Sequence, residues 1–512
     1  MKTVPSPLFE PVFWKDGGFE ILNELALPDK IEYIKIHQIA DAIGAVRDMK
    51  TRAFGQVLTY LFSAALLAQK FHGTEPDALR QELGLMTQQF SDARPTFDFK
   101  GIGEFFSAWF KEATPGINVG ELISERARGF AGQIIKARLA RAQRAATILP
   151  DCARVMTHCN VSGELVAIGQ FCKEMGKEFS VIATETRPYL QGSRLTAWEL
   201  SRSGVSVSVI PDCATAQVMS KGSVNAVIVG ADRCAQNGDI INKVGTYPLA
   251  IMAREYGIPF YALVQDPGSL VSGDDVKIEE RSIDELLEFE GRPLVSEGGD
   301  KLAGRYPAFD VTPAHLISRF IGFEDLFTLE SFRAKFLKRS IESAADAKSS
   351  QGNYLLVFGV PSQNTYSFLA HALKAEQADR ILVPEMRPEL FGARIVAREL
   401  LRRDIPVTLI SDNMMGILFT HGEVRKLYLF YSGLTERGPQ SICGSLLAVQ
   451  LARAHGVPIE LQEHERNIEP LPDSDVASFL GQRIITEGIS VYPVEQETVP
   501  WELFKNDRGA SI

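Results

Sequence analysis

The sequence has 512 residues and a formal net charge of −10 at pH 7, with 45% hydrophobic and 23% charged residues. This composition is typical of a folded globular protein, and the length predicts about three domains of roughly 150 residues. The negative charge argues against nucleic acid or an anionic membrane as a bulk partner, although a pocket can still be locally basic.

The amino-terminal stretch MKTVPSPLFEPVFWKDG lacks the cationic and apolar segments of a signal peptide. No apolar run approaches the ~20 residues that span a bilayer. Without any C-x-x-C pair, the cysteines fit reduced thiols better than a disulfide framework or a zinc site. We therefore expect a cytoplasmic protein. Its six cysteines are Cys152, Cys159, Cys172, Cys213, Cys234 and Cys443.

Residues 1–149 are predicted to form a mainly helical cap domain. Phe13–Tyr33 indicates a pair of short strands around Asp16-Gly17-Gly18. Apolar residues recur with helical spacing most clearly at Phe54–Gln69 and Ile123–Ala146.

Residues 150–325, called unit one, alternate short β-branched runs with helical patterns such as Leu195–Ser203 and Pro248–Tyr256. This alternation predicts a Rossmann-like α/β domain with a parallel sheet that is covered on both faces. The predicted strands are Ala153–His158, Phe179–Thr184, Ser206–Ile210, Val224–Val229 and Pro259–Leu263.

The same pattern returns 200 residues later in residues 351–512, called unit two. ETRPYLQGSR, which begins at Glu185, agrees at six of ten positions with EMRPELFGAR, which begins at Glu385. We expect unit two to be a second, degenerate Rossmann-like repeat, joined through residues 326–350 by a helix at Glu330–Glu342 and a polar loop. Its predicted strands are Tyr354–Phe358, Arg380–Val383, Val407–Ile410, Leu427–Phe430 and Pro458–Leu461.

Candidate chemistry lies at the strand ends of unit one, because ligands of open parallel sheets bind beyond the carboxyl ends of the strands. Cys159 follows the first strand and Asp232 follows the fourth. NGDIINKVGTY supplies Asn242 and Lys243 ahead of a helix that begins near Gly245, and a helix start with a nearby lysine is a natural seat for phosphate.

A thiol and a carboxyl group beside an anion could move a proton between neighbouring carbons. Structural alternatives remain open, since such a cysteine is commonly a small buried hydrophobe and such an aspartate a turn or cap residue. We interpret His158 as structural, because neighbours on a strand point to opposite faces. No G-x-G-x-x-G follows a strand, so no dinucleotide cofactor is indicated.

Several ordered motifs resemble those of the S-methyl-5-thioribose-1-phosphate isomerase family, namely THCN, ETRPYLQGSRLTAWEL, GADRCAQNGDIINKVGTY, IEERSIDE and YPAFDVTP. The resemblance runs from about Phe13 to about Phe320. The family is related to ribose-1,5-bisphosphate isomerase and to regulatory subunits of a translation initiation exchange factor. The resemblance implies an aldose–ketose isomerase of methionine salvage that acts on a small phosphorylated pentose without metal or organic cofactor.

The resemblance also implies roles for individual residues. Cys159 and Asp232 match the catalytic positions. The substrate-binding positions match Arg52, Ala53, Arg94, Gln191, Asn242 and Lys243.

One motif departs from the family pattern. The phosphate-gripping V-R-G-A-P-A-I-G appears as TRAFGQV, in which Ala53 replaces glycine and Phe54 adds bulk where backbone amides should approach the phosphate. Isomerisation of another 5-substituted ribose 1-phosphate (5-deoxyribose 1-phosphate or ribose 1,5-bisphosphate) therefore stays an alternative. A non-catalytic sugar-phosphate-sensing regulatory protein is the third hypothesis.

Unit two has lost every proposed chemical position, so we predict that it is inert as an isomerase. The family pairs its α/β domains in homodimers, and we expect unit two to replace the homodimer partner. We also expect Glu185, Arg187 and Arg194 to be architectural, as an ion-paired turn that fixes the sheet. At the same offset, Cys159 corresponds to Gly359, Gln191 to Phe391, Asp232 to Ser432, and Asn242–Lys243 to Ile442–Cys443.

Overall fold

A computed structural model describes residues 3–72, 75–95, 97–112, 117–295, 299–337, 353–463, 475–494 and 496–505. The chain is mixed α/β, with a core of parallel sheet and many helices. Among the described residues, no helix is both long enough and apolar enough to cross a bilayer.

The N-terminal region begins with a three-stranded antiparallel sheet, β1 (Val12–Lys15), β2 (Gly18–Leu22) and β3 (Tyr33–Ile36). Asp16 and Gly17 join β1 to β2 with φ values of 51° and 77°, as a tight two-residue hairpin requires. The sequence predicted two strands here, and the third pairs with β2.

Five helices complete the N-terminal region. The predicted helix Phe54–Gln69 is confirmed, and Ile123–Ala146 lies within a longer helix. Tyr60 packs its ring against Phe90, Phe99 and Phe106, with centroids 5.3, 5.1 and 5.6 Å away. The helices are α1 (Ile39–Arg47), α2 (Phe54–Gln69), α3 (Pro76–Ala93), α4 (Phe99–Phe110) and α5 (Val119–Ile148).

Unit one contains the strands β4 (Cys152–Thr157), β5 (Glu178–Thr184), β6 (Ser206–Ile210), β7 (Ala226–Gly230), β8 (Arg233–Cys234), β9 (Ile240–Lys243), β10 (Phe260–Leu263), β11 (Glu288–Phe289), β12 (Arg292–Pro293), β13 (Leu302–Gly304), β14 (Phe309–Thr312), β15 (Arg319–Ile321) and β16 (Leu326–Phe327). Seven of them form its main sheet in the order β16-β15-β10-β7-β4-β5-β6, and β26 (Ser490–Val491) of unit two adds an eighth strand beside β6. All five predicted strands are present and pair in parallel.

Three helices of unit one, over Glu164–Glu174, Ala197–Arg202 and Thr246–Glu255, contact strands of this sheet. The predicted helix Leu195–Ser203 begins with a π turn over Gly192–Thr196 and continues as an α-helix. The helices are α6 (Glu164–Glu174), α7 (Ala197–Arg202), α8 (Thr215–Ser220), α9 (Thr246–Glu255) and α10 (Asp284–Leu287).

The helix predicted at Glu330–Glu342 begins one residue earlier, as α11 (Leu329–Phe336). Phe332 is fully buried and stacks on Phe320 of unit one, with centroids 4.6 Å apart. Residues 338–352, which contain the end of the predicted helix and most of the polar loop, lie outside the described residues.

Unit two contains the strands β17 (Tyr354–Phe358), β18 (Arg380–Pro384), β19 (Val407–Ile410), β20 (Val424–Tyr431), β21 (Gly433–Leu434), β22 (Pro439–Ser441), β23 (Ile459–Glu463), β24 (Ser478–Phe479), β25 (Gln482–Arg483), β26 (Ser490–Val491) and β27 (Glu497–Thr498). Its helices are α12 (Thr365–Ala375), α13 (Arg398–Arg402), α14 (Met415–Thr420) and α15 (Ser445–Ala454). The main sheet has six strands in the order β13-β19-β18-β17-β20-β23, and all five predicted strands are present.

The two units exchange edge strands. β26 of unit two pairs in parallel with β6, so that Ser490 lies opposite Ser208 at the edge of the sheet of unit one. β13 of unit one pairs in parallel with β19, so that Leu302 lies opposite Val407 at the edge of the sheet of unit two. Each sheet is therefore completed by the other unit.

Two buried ion pairs cross the same boundary. Arg187 Nε lies 2.9 Å from Glu385 Oε1, and Arg387 Nη2 lies 2.8 Å from Glu185 Oε2, with none of the four side chains more than 1% exposed. The predicted ion-paired turn exists, but each arginine pairs with the glutamate of the other unit. Arg194 instead donates to Leu27 O of the N-terminal region at 3.4 Å.

Candidate active site

The candidate site lies at the carboxyl ends of β4, β7 and β9, where the N-terminal region faces unit one. Cys159 follows β4 and Asp232 follows β7, and both side chains are half-buried. Lys243 is the last residue of β9 and is buried. Cys159 and Asp232 follow the neighbouring strands β4 and β7, and so lie at one edge of the parallel sheet, as predicted. Lys243 comes from a separate antiparallel sheet, in which β9 lies between β8 and β14.

Mutual electrostatic effects place the three groups in one cluster, because such effects weaken with distance. Burial raises the pKa of the Cys159 thiol to about 11, and Asp232 adds to the rise whereas Lys243 opposes it. Burial also raises the pKa of Asp232, against the influence of Lys243 and Arg94. Burial lowers the pKa of Lys243 to about 8, and Cys159 and Asp232 counteract that fall. The cluster combines a protonated thiol, a carboxyl group that retains its proton more readily than usual, and a cation.

Aromatic rings surround the amine of Lys243. Its Nζ lies 5.6 Å from the ring centroid of Tyr189, 5.7 Å from that of Tyr306 and 5.1 Å from that of Phe309. The Arg52 guanidinium covers the same Tyr189 ring at 5.2 Å. Rings stabilise a cation without neutralising it, so the cleft keeps positive charge for an anionic ligand.

Arg94 reaches this cleft from the end of α3. Its Nη1 lies 2.9 Å from Glu279 Oε2, and the same carboxylate lies 2.9 Å from Arg281. Arg281 also affects the pKa of Lys243. The structure therefore brings together five of the residues predicted for the site, Arg52, Arg94, Cys159, Asp232 and Lys243.

Gln191 and Asn242 differ in their surroundings. Gln191 is 5% exposed, and its Oε1 atom has no hydrogen-bond partner among the described residues, as is also true of Arg52 Nε. Such unpartnered buried atoms are the ones that a bound polar ligand can satisfy. Asn242 donates to Thr246 Oγ1 at 2.9 Å, which ties it to α9 rather than to the charged cluster.

The predicted phosphate seat at the start of α9 is wrong. The backbone N–H groups of Gly245 and Tyr247 donate to the Asp310 carboxylate at 2.7 and 3.1 Å. These donors oppose the effect of burial, which raises the pKa of Asp310 to about 7. The protein already supplies the anion at this helix end, so these two backbone donors are not free to bind a phosphate.

The loop at Ala53 contains a strained backbone. Ala53 has φ +39°, a conformation that glycine adopts far more readily than alanine. Glu24 fixes the loop by accepting from Arg52 N at 2.9 Å and from Thr51 Oγ1 at 3.1 Å. The Phe54 ring packs 3.8 Å from the guanidinium carbon of Arg138. Although Ala53 and Phe54 depart from the family motif, Arg52 still lies at the cleft, where its guanidinium covers the Tyr189 ring.

His158 has a structural environment, as predicted. Its Nε2 donates to Val244 O at 2.8 Å, which leaves Nδ1 to accept from Thr184 Oγ1 at 2.7 Å. Burial lowers the pKa of His158 to about 4. The imidazole thus stays neutral and joins β4 to the loop before α9.

Sequence reasoning missed Glu24, Tyr189, Arg281 and Tyr306. Tyr189 donates to Glu285 at 2.5 Å, and Tyr306 is fully buried with an unpartnered hydroxyl among the described residues. Three of these residues lie inside motifs that carried the family resemblance, and Glu24 lies in NELALP. The sequence gives the positions of these residues along the chain, but it does not show that the folded chain brings them together around the site.

The corresponding positions of unit two lack the cluster. Gly359 and Ser432 stand where unit one has Cys159 and Asp232, and Ser432 Oγ donates to Gln440 O at 3.3 Å. Phe391 and Cys443 are buried. Across the described parts of the chain, no three His, Cys, Asp or Glu side chains converge as metal ligands would.

The chain is similar to known proteins over most of its length. A model of the initiation factor 2 subunit family matches residues 57–322 and 332–459. The chain is 34% identical over 349 residues to a methylthioribose-1-phosphate isomerase of Desulforudis audaxviator (strain MP104C), an alignment that covers 65% of this chain and 98% of that protein.

Two solved structures have a similar fold. One is a 5-methylthioribose 1-phosphate isomerase from Pyrococcus horikoshii OT3, with 29% identity and a TM-score of 0.57, covering 65% of this chain and 97% of that chain. The other is the delta subunit of translation initiation factor eIF-2B from A. fulgidus, with 29% identity and a TM-score of 0.55, covering 64% of this chain and 99% of that chain.

Proposed function

The chain belongs to the initiation factor 2 subunit family, and from this premise we propose that it converts S-methyl-5-thioribose 1-phosphate into S-methyl-5-thioribulose 1-phosphate, as an aldose–ketose isomerase of methionine salvage. The observation that carries the proposal is the convergence of a thiol, a carboxyl group and an amine from three separate segments of unit one. Cys159, Asp232 and Lys243 all lie within residues 57–322, which match the family.

The reaction must first open a sugar ring whose anomeric oxygen carries the phosphate. Burial raises the pKa of Asp232, so this carboxyl group retains a proton that it can give to the ring oxygen. Breaking the bond between C1 and the ring oxygen then opens the sugar while the phosphate stays on C1. The positive charges of Arg52, Arg94 and Lys243 hold that phosphate.

Cys159 faces the carbons that exchange hydrogen. One hydrogen leaves C2 and one arrives at C1, while the C2 hydroxyl loses its proton and so restores the proton that Asp232 gave to the ring oxygen. The result is a ketone at C2 and a CH2 group that bears the phosphate. The product has the same atoms as the substrate, so no oxidant or reductant is consumed. Transfer as a proton and transfer as a hydride both satisfy this balance, and in each case the thiol stays largely protonated because burial raises its pKa to about 11.

The second candidate is the same reaction on a ribose 1-phosphate with a different 5-substituent. The positive φ of Ala53, where the family motif has glycine, supports it because this loop adjoins Arg52. An NMR assay should follow S-methyl-5-thioribose 1-phosphate, 5-deoxyribose 1-phosphate and ribose 1,5-bisphosphate side by side. We expect the methylthio compound to give the highest kcat/KM. Preference for another sugar would support the second candidate, and no turnover of any would favour a regulatory protein.

We also propose that unit two occupies the place of a homodimer partner, which makes the chain an internal pseudo-dimer with one active site. Residues 1–149 would be the cap, 150–325 the catalytic domain, 326–350 the linker and 351–512 the non-catalytic repeat. Supporting observations are the matching strand orders, the exchanged edge strands β13 and β26 and the two crossed ion pairs. Tethering gives the second unit a high effective concentration.

Light scattering tests this arrangement on the full chain. The proposal expects a monomer of 56.5 kDa. A dimer in which cross-links join unit one of one chain to unit one of another would contradict it, because that surface would then not be covered by unit two.

A further inference from the structure

The backbone of Cys159 is strained. Its φ of +66° lies in the left-handed region, which costs a residue with a side chain about 1–2 kcal/mol. The position 200 residues later is Gly359, with φ +93°, and glycine adopts this conformation freely. Unit one therefore keeps a thiol at a point of the fold where unit two has the residue that the backbone prefers.

Two buried threonines hold this strained backbone from both sides. Cys159 N donates to Thr186 Oγ1 at 2.9 Å, and Thr196 Oγ1 donates to Cys159 O at 2.7 Å. Both threonines are fully buried. The orientation of the peptide groups around Cys159 thus depends on two side-chain hydroxyls.

A buried carboxylate anchors these contacts. Asn160 Nδ2 donates to Glu199 Oε1 at 2.7 Å and lies 2.9 Å from Thr196 Oγ1. Ser6 Oγ donates to Glu199 Oε2 at 2.5 Å. Glu199 is 1% exposed, and burial raises its pKa to about 7 against the hydrogen bonds from Ser6 and Asn160. The network thus runs from the N-terminal segment through Glu199 to the thiol loop.

Unit two keeps the glutamate but not the network. Glu399, which corresponds to Glu199, pairs with Arg402 at 3.1 Å and with Arg403 at 2.5 Å near the surface. The polar partners in the loop are replaced by apolar residues. Asn160 corresponds to Val360, Thr186 to Met386 and Thr196 to Val396. The hydrogen-bond network is therefore present only in the unit that has the thiol, although both units share the fold.

We propose that Glu199 is a positioning residue for the isomerisation. Through Asn160 and Thr196 it holds Cys159 in the left-handed conformation that presents the thiol to Asp232 and Lys243. The catalytic consequence of this positioning rests on the proposed function. The effect of Glu199 on the conformation and reactivity of the Cys159 thiol does not depend on the proposed function, so the positioning role and the proposed function can be tested separately.

Kinetics on the full chain give the first test. Glu199→Ala and Thr196→Val should each lower kcat by about 10²-fold while KM changes little, because a small displacement of a reacting group has an effect of this size. Glu199→Gln should retain most of the activity, since its amide can still accept from Asn160 and contact Ser6. Glu399→Ala, the matched control in unit two, should change kcat less than about twofold. Unchanged kcat in both test variants would overturn the proposal.

Alkylation of Cys159 gives a readout that needs no turnover. A Cys152→Ser background removes the exposed thiol, and mass spectrometry of the Cys159 peptide follows its reaction with iodoacetamide from pH 6 to 11. Glu199→Ala and Thr196→Val should each lower the midpoint from its raised value in the parent chain towards the ordinary thiol value of about 8.5, because the loop opens to water and loses the burial that raises the pKa of Cys159. Glu399→Ala should not shift it.

These outcomes separate the two proposals. A midpoint that stays the same in the test variants and the Glu399→Ala control would refute the positioning role, even if all variants lost thermal stability. If the parent chain isomerises none of the three sugar phosphates, the proposed function fails. A shifted midpoint would then still support the positioning of the thiol by Glu199. If Glu199→Ala does not fold, the Thr196→Val variant can still be used to test the positioning role.

Discussion

Unit one and unit two share the elements that build a sheet and its boundary. Both place β-strands in the same central order, and both have left-handed residues at positions 186 and 386 and at positions 190 and 390. Asp212 accepts from the backbone N–H of Arg187 at 2.7 Å, and Asp412 accepts from that of Arg387 at 2.8 Å. These shared residues orient the arginines that cross between the units.

The two units use different residues to accept hydrogen bonds from the buried start of a helix. Asp310 accepts from the first amides of α9, and Glu497 accepts from those of α15, with Gly444 N at 3.0 Å and Leu446 N at 2.7 Å. The helix ends are buried, so their unpaired N–H groups need an acceptor in either unit. Both units thus place a carboxylate at the start of this helix, but the carboxylate comes from an aspartate in unit one and from a glutamate in unit two.

The differences lie at the strand ends and in the segments that follow them. The thiol and the carboxyl group of unit one follow strands, the amine ends β9, and the hydroxyls of Thr186 and Thr196 lie in the turn and helix after β5; all are replaced in unit two. Such positions can change without disturbing the sheet, whereas a buried ion pair that loses one partner destabilises the protein. Different residues therefore build the fold and form the candidate site.

Removing the chemistry of unit one should give the largest effect. Cys159→Ser and Asp232→Asn are each expected to lower kcat in the NMR assay by about 10²–10⁴-fold, the range for loss of a group that transfers protons. Ser432→Ala at the matching position of unit two should leave kcat near that of the parent. Near-parent turnover in both unit-one variants would show that Cys159 and Asp232 are not the reacting groups.

Breaking either crossed ion pair should destabilise the chain. Arg187→Ala and Arg387→Ala each leave a buried glutamate without its partner, and we expect each to lower the free energy of unfolding by about 3–5 kcal/mol. Urea denaturation measures the change. If one variant loses several times more stability than the other, the two halves of this boundary are not equivalent.

The pH dependence of activity should report on Lys243, whose counterpart Cys443 carries no positive charge. The folded-state pKa of about 8 means that the amine is charged below pH 8 and neutral above it. If its charge holds the phosphate, kcat/KM should fall about tenfold per pH unit above 8. Lys243→Arg should move this fall to higher pH. An unchanged profile in that variant would assign the fall to another group.

Relief of strain at Ala53 should give the smallest effect. Ala53→Gly removes a left-handed strain of about 1–2 kcal/mol but increases the freedom of the unfolded chain, so we expect a net stabilisation of about 0.5 kcal/mol. The control Ala137→Gly, inside α5, should destabilise by about 1 kcal/mol. Thermal unfolding compares them. Equal destabilisation by both changes would mean that Ala53 carries no strain.

The strands of both units could be predicted from the sequence, because β-branched runs of four to eight residues between turn residues are a local signal. Cys159 and Asp232 could be proposed because a strand end is also a local position. The third strand β3 was missed, since its partner β2 lies beyond a long connection. The phosphate seat was misplaced because the acceptor, Asp310, lies 65 residues from Gly245.

Local sequence patterns are sufficient to predict which segments become strands and helices, which positions fall at strand ends, and which of the two units keeps Cys159 and Asp232. They do not predict that Arg187 pairs with Glu385, 198 residues away, or that Glu199 contacts Ser6 and Asn160. Periodicity and propensity act only over a few neighbouring residues. Partners of buried charges are chosen instead by the register in which distant strands and helices pack, and each such pairing becomes favourable only once water is excluded.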